Sequence, residues 1–225
     1  MGRKTIASDP TTPSKLFKRS ANHLGTGTKT IAPLQPTLRW FLAEIEGVVR
    51  NSSSESEVLR SARPLLAQLL AAPGTVPDEA FKPRKDRFVM NLLYMPKDKA
   101  FSVNGAVWLP WQTTPIHDHL TWAMVGLYEG EEREPIYRRN DDRSDAKVAK
   151  LELASERVNT RGHITTLSHA GIHRIDNISP LPSRSIHIYG SDIGNAERHS
   201  YDPVTGEVGR FVSGYCNVLR DEDLD

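Results

Sequence analysis

Pro115-Ile116-His117-Asp118-His119-Leu120-Thr121-Trp122-Ala123-Met124-Val125-Gly126-Leu127-Tyr128-Glu129-Gly130 is the stretch on which the reading of this chain turns. His117 and His119 are spaced i, i+2, which in a β-strand puts both imidazoles on one face, where one metal ion can bind them. On a helix the same spacing would turn the rings about 200° apart. The pair therefore carries chemistry only if the segment is extended. The run from His117 to Tyr128 is rich in β-branched and aromatic residues, closes on Glu129-Gly130, and follows Pro115, which suits the start of a strand. A single strand over 117–128 is predicted.

Working outward, further extended runs follow Pro83: Phe88 to Met95, Ala100 to Leu109, Glu134 to Arg139, Ala149 to Val158, Arg184 to Tyr189 and Glu207 to Val212. Turn residues separate them, among them Lys97-Asp98-Lys99, Asn140-Asp141-Asp142 and Arg161-Gly162. Short strands at regular spacing predict a mainly β protein, an antiparallel sandwich or barrel. Upstream the period changes. Leu38, Phe41, Leu42, Ile45, Val48 and Val49 recur at helical spacing, and a second helix is predicted after Ser54, where Ser54 and Glu57 have capping-box spacing. Val58, Leu59, Ala62, Leu65, Leu66 and Leu69 continue that stripe, Pro64 is expected to kink it, and Pro73-Gly74 ends it. These helices are expected to pack outside the barrel, close one end and cover a sheet edge. Residues 1–32 are basic, Ser/Thr-rich and without apolar periodicity, and read as a disordered tail. The chain divides into this tail, a helical segment at 33–76 and one β domain at 77–225.

The 225 residues carry 29 Lys and Arg against 28 Asp and Glu, so the net charge of +1 argues against nucleic acid or an anionic membrane as the main partner. A small molecule is the expected ligand, and a monomer or small homo-oligomer the expected state. Cys216 is the one cysteine, which excludes an intramolecular disulfide framework and a multi-cysteine zinc knuckle and suggests a reducing, cytoplasmic setting. No stretch approaches the roughly 18 apolar residues that span a bilayer.

A third metal ligand is expected near a turn. His173, in Gly171-Ile172-His173-Arg174-Ile175-Asp176-Asn177, begins a strand-like segment and is the first candidate, meeting the pair from the opposite wall of a small barrel, with His169 as the fallback. Ser185, His187 and Tyr189 alternate, so all three face one side of a strand. Asp118 points to the other face from its neighbours and receives no catalytic role. The acidic cluster Glu129, Glu131, Glu132 and Glu134 reads as a solvated strand end and turn, Trp108 and Trp122 as core or pocket wall, and Cys216 as a small buried hydrophobe.

Three strings, PIHDHLTWAMVGLYEGEERE, GIHRIDN and SIHIYGSDIG, together resemble the cupins, and within them the thiol dioxygenases of the cysteine dioxygenase type, in particular the bacterial branch resembling 3-mercaptopropionate dioxygenase. The resemblance spans roughly Arg87 to Asn217. It implies a cupin double-stranded β-helix, a jelly-roll barrel, behind N-terminal α-helices. Ala123 and Met124 stand where the usual cupin motif places a carboxylate ligand, which implies a three-histidine Fe(II) site of His117, His119 and His173. It further implies an outer catalytic triad of Ser185, His187 and Tyr189, and Arg198 as the group that binds a substrate carboxylate. The implied reaction uses O2 to oxidise a small mercapto-carboxylate to its sulfinate, with 3-mercaptopropionate first and mercaptosuccinate or cysteine next. No cysteine lies between His117 and Gly130, so the Cys–Tyr thioether of the mammalian-type enzymes cannot form. Three neutral imidazoles leave Fe(II) its full charge, which favours a soft thiolate donor. The competing readings are a cupin metalloenzyme with another reaction and a non-catalytic metal- or ligand-binding cupin.

Overall fold

A computed structural model describes residues 29–30, 35–72 and 74–217. Most of the tail assigned to 1–32 lies outside the described residues. Its last part differs from the expectation of disorder, because Lys29–Thr30 forms a short strand, β1, paired with Tyr94 and Met95. Helix α1 spans Pro36–Asn51, with proline in its first turn, where the missing N–H costs nothing. Helix α2 spans Glu55–Ala71 and runs through Pro64. At its start the Ser54 hydroxyl accepts from the Glu57 N–H, while the Glu57 carboxylate reaches past Ser54 to the N–H and hydroxyl of Ser53, at 2.8 Å each. A single 3-10 turn, Asp78–Phe81, leads into the sheets.

Twelve further strands follow: β2 (Val89–Met95), β3 (Ser102–Trp108), β4 (Ile116–Asp118), β5 (Ala123–Glu129), β6 (Glu131–Arg139), β7 (Leu151–Thr160), β8 (Ile164–Leu167), β9 (Ile172–His173), β10 (Asp176–Asn177), β11 (Ser183–Tyr189), β12 (Arg198–Tyr201) and β13 (Val208–Phe211). They form two antiparallel sheets. One has the order β1-β2-β3-β11-β5-β8; the other has β10-β6-β9-β4-β12-β13, with β7 on β6. The pairs β6/β7, β5/β8, β4/β9 and β3/β11 are successive rungs of one long antiparallel hairpin that crosses from sheet to sheet as it winds. That path is a double-stranded β-helix, and the fold is mainly β with two N-terminal helices.

The 117–128 run is not one strand. It divides into β4 and β5, which belong to opposite sheets. The chain turns between them at Leu120, whose φ of 54° lies in the left-handed region. The pattern of β-branched and aromatic residues identifies extended chain on both sides but does not register a reversal made by a leucine. Strands β8 and β12 went unread because four residues cannot display a period, and the strand-like segment expected at His173 is two short strands, β9 and β10.

Strand β11 shows how alternation places the site. Ile186 and Ile188 face outward into a core made with Leu38, Phe41, Leu42, Ile45, Leu66 and Leu69 of the helices. Ser185, His187 and Tyr189 therefore face inward. The helices cover the outer face of this sheet, and Arg63 ties α2 to edge strand β8 by donating to the Ile164 carbonyl at 3.0 Å. Each fully buried leucine in this layer contributes about 1.5–3 kcal/mol by its removal from water. The approach of α2 is close: a Cβ on Gly126 of β5 would sit 2.9 Å from methyls of both Leu66 and Leu70. Gly126→Val is expected to cost about 1–3 kcal/mol by overpacking, read as a lower urea midpoint with an unchanged slope.

Candidate metal centre

Strand β4 carries His117, and His119 follows at its end, with the two rings still on one side. Strand β9 lies against β4 with His173 directly opposite His117. The third ring is thus a neighbour in the same sheet, not a residue of the opposite wall; a cross-strand pair supplies the closeness that sequence reading assigned to barrel closure. Ring centroids stand 4.9 Å apart for His117 and His119, 4.8 Å for His117 and His173, and 5.0 Å for His119 and His173. One ligand atom from each lies within 4.8 Å of the others, and all three residues are buried. His169, the fallback, is exposed beside Glu55 and outside the cluster.

The hydrogen bonds suit a metal. His117 Nδ1 lies 2.9 Å from the Pro115 carbonyl, and His173 Nδ1 lies 2.8 Å from Glu134 Oε1. Both partners are acceptors, so Nδ1 donates in each ring and Nε2 is the nitrogen left to face a metal. His119 is 1% exposed, and neither of its ring nitrogens has a hydrogen-bond partner among the described residues. An unpartnered buried polar group costs about 1–3 kcal/mol, and a metal ion would remove that cost. Burial, reinforced by the neighbouring imidazoles and Arg198, holds His117 and His119 well below the ordinary histidine pKa. They are neutral at pH 7, as metal ligands must be. Three imidazoles without a carboxylate suit a transition metal, not magnesium or calcium.

The acidic cluster after Gly130 corrects the sequence reading. Glu129 and Glu131 are exposed, but Glu132 and Glu134 are 1% and 0% exposed. They alternate with Arg133 along β6, so strand geometry turns both inward. That alternation was the available signal, and the usual exposure of glutamate overrode it. Burial alone would raise the Glu134 pKa. The bonds it accepts from His173, Thr165 and Asn159 outweigh this and hold it well below the usual carboxylate range. A carboxylate therefore stands one hydrogen bond behind a ring of the histidine cluster, orienting that ring and raising its basicity. Glu134→Gln is expected to weaken metal binding roughly 10–100-fold, measured by competition with a chelator.

Across the cavity, Ser185 Oγ lies 2.9 Å from His187 Nε2, and His187 Nδ1 lies 2.7 Å from the Tyr189 hydroxyl. Burial pushes His187 down to about 3 and the Tyr189 phenol upward, so both are uncharged at neutral pH. The Tyr189 ring stands 5.1 Å from His119, and Trp108 stacks on His187 at 5.7 Å.

Arg198 enters from β12, the neighbour of β4. Asp118, facing away from the imidazoles, joins these strands: it accepts from the His199 N–H at 2.9 Å and from His199 Nδ1 and the Tyr201 hydroxyl at 2.8 Å each. Arg198 is 3% exposed, donates to Ser213 Oγ at 2.7 Å and lies 4.6 Å over the Phe211 ring. Its Nε has no partner, and among the described residues it forms no ion pair. The same cavity is lined by Phe88, Met90, Trp108, Ile175 and Phe211, and among the described residues no carboxylate lines it. Of these, the sequence reading singled out only Trp108. Cys216 is half-buried and its thiol is free.

No family model matches the chain. Solved structures that resemble it include a protein with a double-stranded β-helix domain from Klebsiella pneumoniae, at 14% identity and TM-score 0.40 over 52% of this chain and 89% of that one. The cupin domain of Schizosaccharomyces pombe Cnp3 is 10% identical, with TM-score 0.37 over 47% and 61%. An oxalate oxidase is 19% identical, with TM-score 0.33 over 41% and 42%. At these levels of similarity, the functional reading rests on the residues of the site. Among the described residues no helix is long and apolar enough to cross a membrane.

Proposed function

We propose that the protein is a non-haem Fe(II) thiol dioxygenase acting on a small mercapto-carboxylate, with 3-mercaptopropionate as the first choice of substrate. The observation that carries this reading is one cavity lined by His117 and His173 of the three-histidine cluster, by His187 and Tyr189 of the Ser-His-Tyr hydrogen-bonded row, and by Arg198, which forms no ion pair among the described residues. Bound Fe(II) would supply the redox chemistry by which a thiolate and O2 combine to a sulfinate, RS⁻ + O2 → RSO2⁻, with both oxygen atoms retained. His117, His119 and His173 would hold it.

The remaining work falls to this chain's own side chains. Arg198 binds the substrate carboxylate with charge-assisted bonds, which relieves the cost of a buried unpaired cation. Phe88, Met90 and Phe211 shed water from the carbon chain between carboxylate and sulfur. Tyr189, kept protonated by burial, offers a hydroxyl next to the imidazole cluster. The absence of a lining carboxylate among the described residues favours a substrate without an ammonium group, which places 3-mercaptopropionate and mercaptosuccinate ahead of cysteine.

The test is anaerobic loading with Fe(II), followed by parallel measurement of O2 uptake and sulfinate with the three thiols. One sulfinate formed per O2 consumed, highest with 3-mercaptopropionate, is the expected result. Negligible uptake with all three would overturn the reading in favour of another metal-dependent reaction or a binding role.

A further inference from the structure

Glu132 is a buried carboxyl that the chemistry above leaves unused. It sits on β6 beside the inward face of β11, and the Ser185 hydroxyl donates to its Oε1 at 3.4 Å. Ser185 Oγ is also the atom 2.9 Å from His187 Nε2, and His187 Nδ1 is 2.7 Å from the Tyr189 hydroxyl. One unbroken row of four side chains therefore runs from a buried acid to the hydroxyl of Tyr189, a residue that lines the cavity with His117 and His173. A neutral imidazole holds a single N–H, so every bond in such a row must point the same way.

We propose that Glu132 is a positioning residue of this site: its carboxyl, acting through Ser185, sets the tautomer of His187 and hence whether the Tyr189 proton points along the strand or into the cavity. An ionised Glu132 can only accept. Ser185 then donates to it, His187 Nε2–H donates to Ser185, and Nδ1 accepts the Tyr189 proton. A protonated Glu132 donates to Ser185 Oγ. Ser185 then donates to Nε2, Nδ1–H donates to the Tyr189 oxygen, and the Tyr189 proton turns toward the cavity. The two states differ by one proton. It is taken up at Tyr189 from the cavity while Tyr189 passes its own to Nδ1, Nε2 passes its proton to Ser185, and Ser185 passes its proton to Glu132. Ser185, His187 and Tyr189 end uncharged in both.

The surroundings place this change near neutral pH. Burial pushes Glu132 up to about 8, the Glu134 carboxylate adds to the rise, and the Ser183 and Ser185 hydroxyls oppose it. The groups facing Glu132 are Glu134 on its own strand, Ser183, Ser185 and His187 on β11, and Asn159 of β7 and Asn177 of β10, which pair with it in register. His187, held near 3, does not titrate in the same range.

The role of the Tyr189 proton in turnover rests on the thiol reading; the direction of the row does not. The test is nitrogen NMR of the His187 ring in the metal-free protein, with the signal assigned by a His187→Gln variant. The wild type is expected to change from Nδ1–H to Nε2–H as pH rises through about 8. Glu132→Gln keeps an amide donor toward Ser185 and is expected to hold Nδ1–H throughout. A wild-type tautomer that stays constant, or one that changes identically in Glu132→Gln, overturns the proposal; if the variant does not fold, the wild-type titration decides alone. In the Fe(II)-loaded protein, sulfinate formation should fall above about pH 8 in the wild type and stay level in Glu132→Gln. A tautomer change without turnover of any thiol upholds the row and overturns the thiol reading alone.

Discussion

Replacing His119 with leucine is expected to abolish metal binding while making the metal-free protein more stable. Both ring nitrogens of His119 are buried without a hydrogen-bond partner among the described residues, and such groups cost about 1–3 kcal/mol. A leucine of similar size removes that cost and keeps apolar contact with Tyr189, whose ring lies 5.1 Å away. Metal binding acts in the opposite direction. A metal at about 1,000 times its Kd stabilises the native state by about 4 kcal/mol. The wild type should therefore melt higher when Fe(II) is added without oxygen, and His119→Leu should start higher and not move. An equal metal-induced shift in both proteins would show that His119 is not a ligand. A large loss of stability in the metal-free variant would show that its nitrogens have partners in solution.

Replacing Arg198 with methionine is expected to weaken substrate binding with little effect on the chemical step. Hydrogen bonds to a charged group contribute about 1.5–3 kcal/mol, which corresponds to a roughly 10- to 150-fold rise in KM for a mercapto-carboxylate. Because the carboxylate is remote from the sulfur, the contact is the same in ground and transition states, so kcat should stay nearly constant. A thiol without a carboxylate should show no such rise, since nothing in it engages Arg198. The folded protein should not be weakened: the variant removes a buried cation that forms no ion pair among the described residues. An unchanged KM would overturn the assignment of Arg198, and a parallel fall in kcat would place it nearer the reacting atoms than the geometry does.

These two residues were legible in the sequence to different depths. His119 followed from strand geometry, since the i, i+2 relation to His117 holds wherever the backbone is extended. Arg198 did not follow from any period; resemblance to a family proposed it, and only the packed structure shows it buried without an ion pair among the described residues. Glu134 and Glu132 were misread. Their alternation with Arg133 was present, but whether a carboxylate faces water or a row of hydroxyls and imidazoles depends on which strand lies across from it. For Glu132 that strand is β11, some fifty residues further along the chain, and for Glu134 the partners come from β7, β8 and β9.

Local periodicity settled what is local in this protein: two amphipathic helices, a series of short strands, and the shared faces of His117 with His119 and of Ser185, His187 and Tyr189. The tertiary structure decided everything that depends on pairing between distant segments. It split the 117–128 run across two sheets, set His173 opposite His117, buried Glu132 and Glu134, and buried Arg198 with no ion pair among the described residues. The reason is physical. A strand's own sequence fixes the alternation of its side chains, but burial, hydrogen-bond partners and pKa come from the neighbours that a non-local sheet brings beside it.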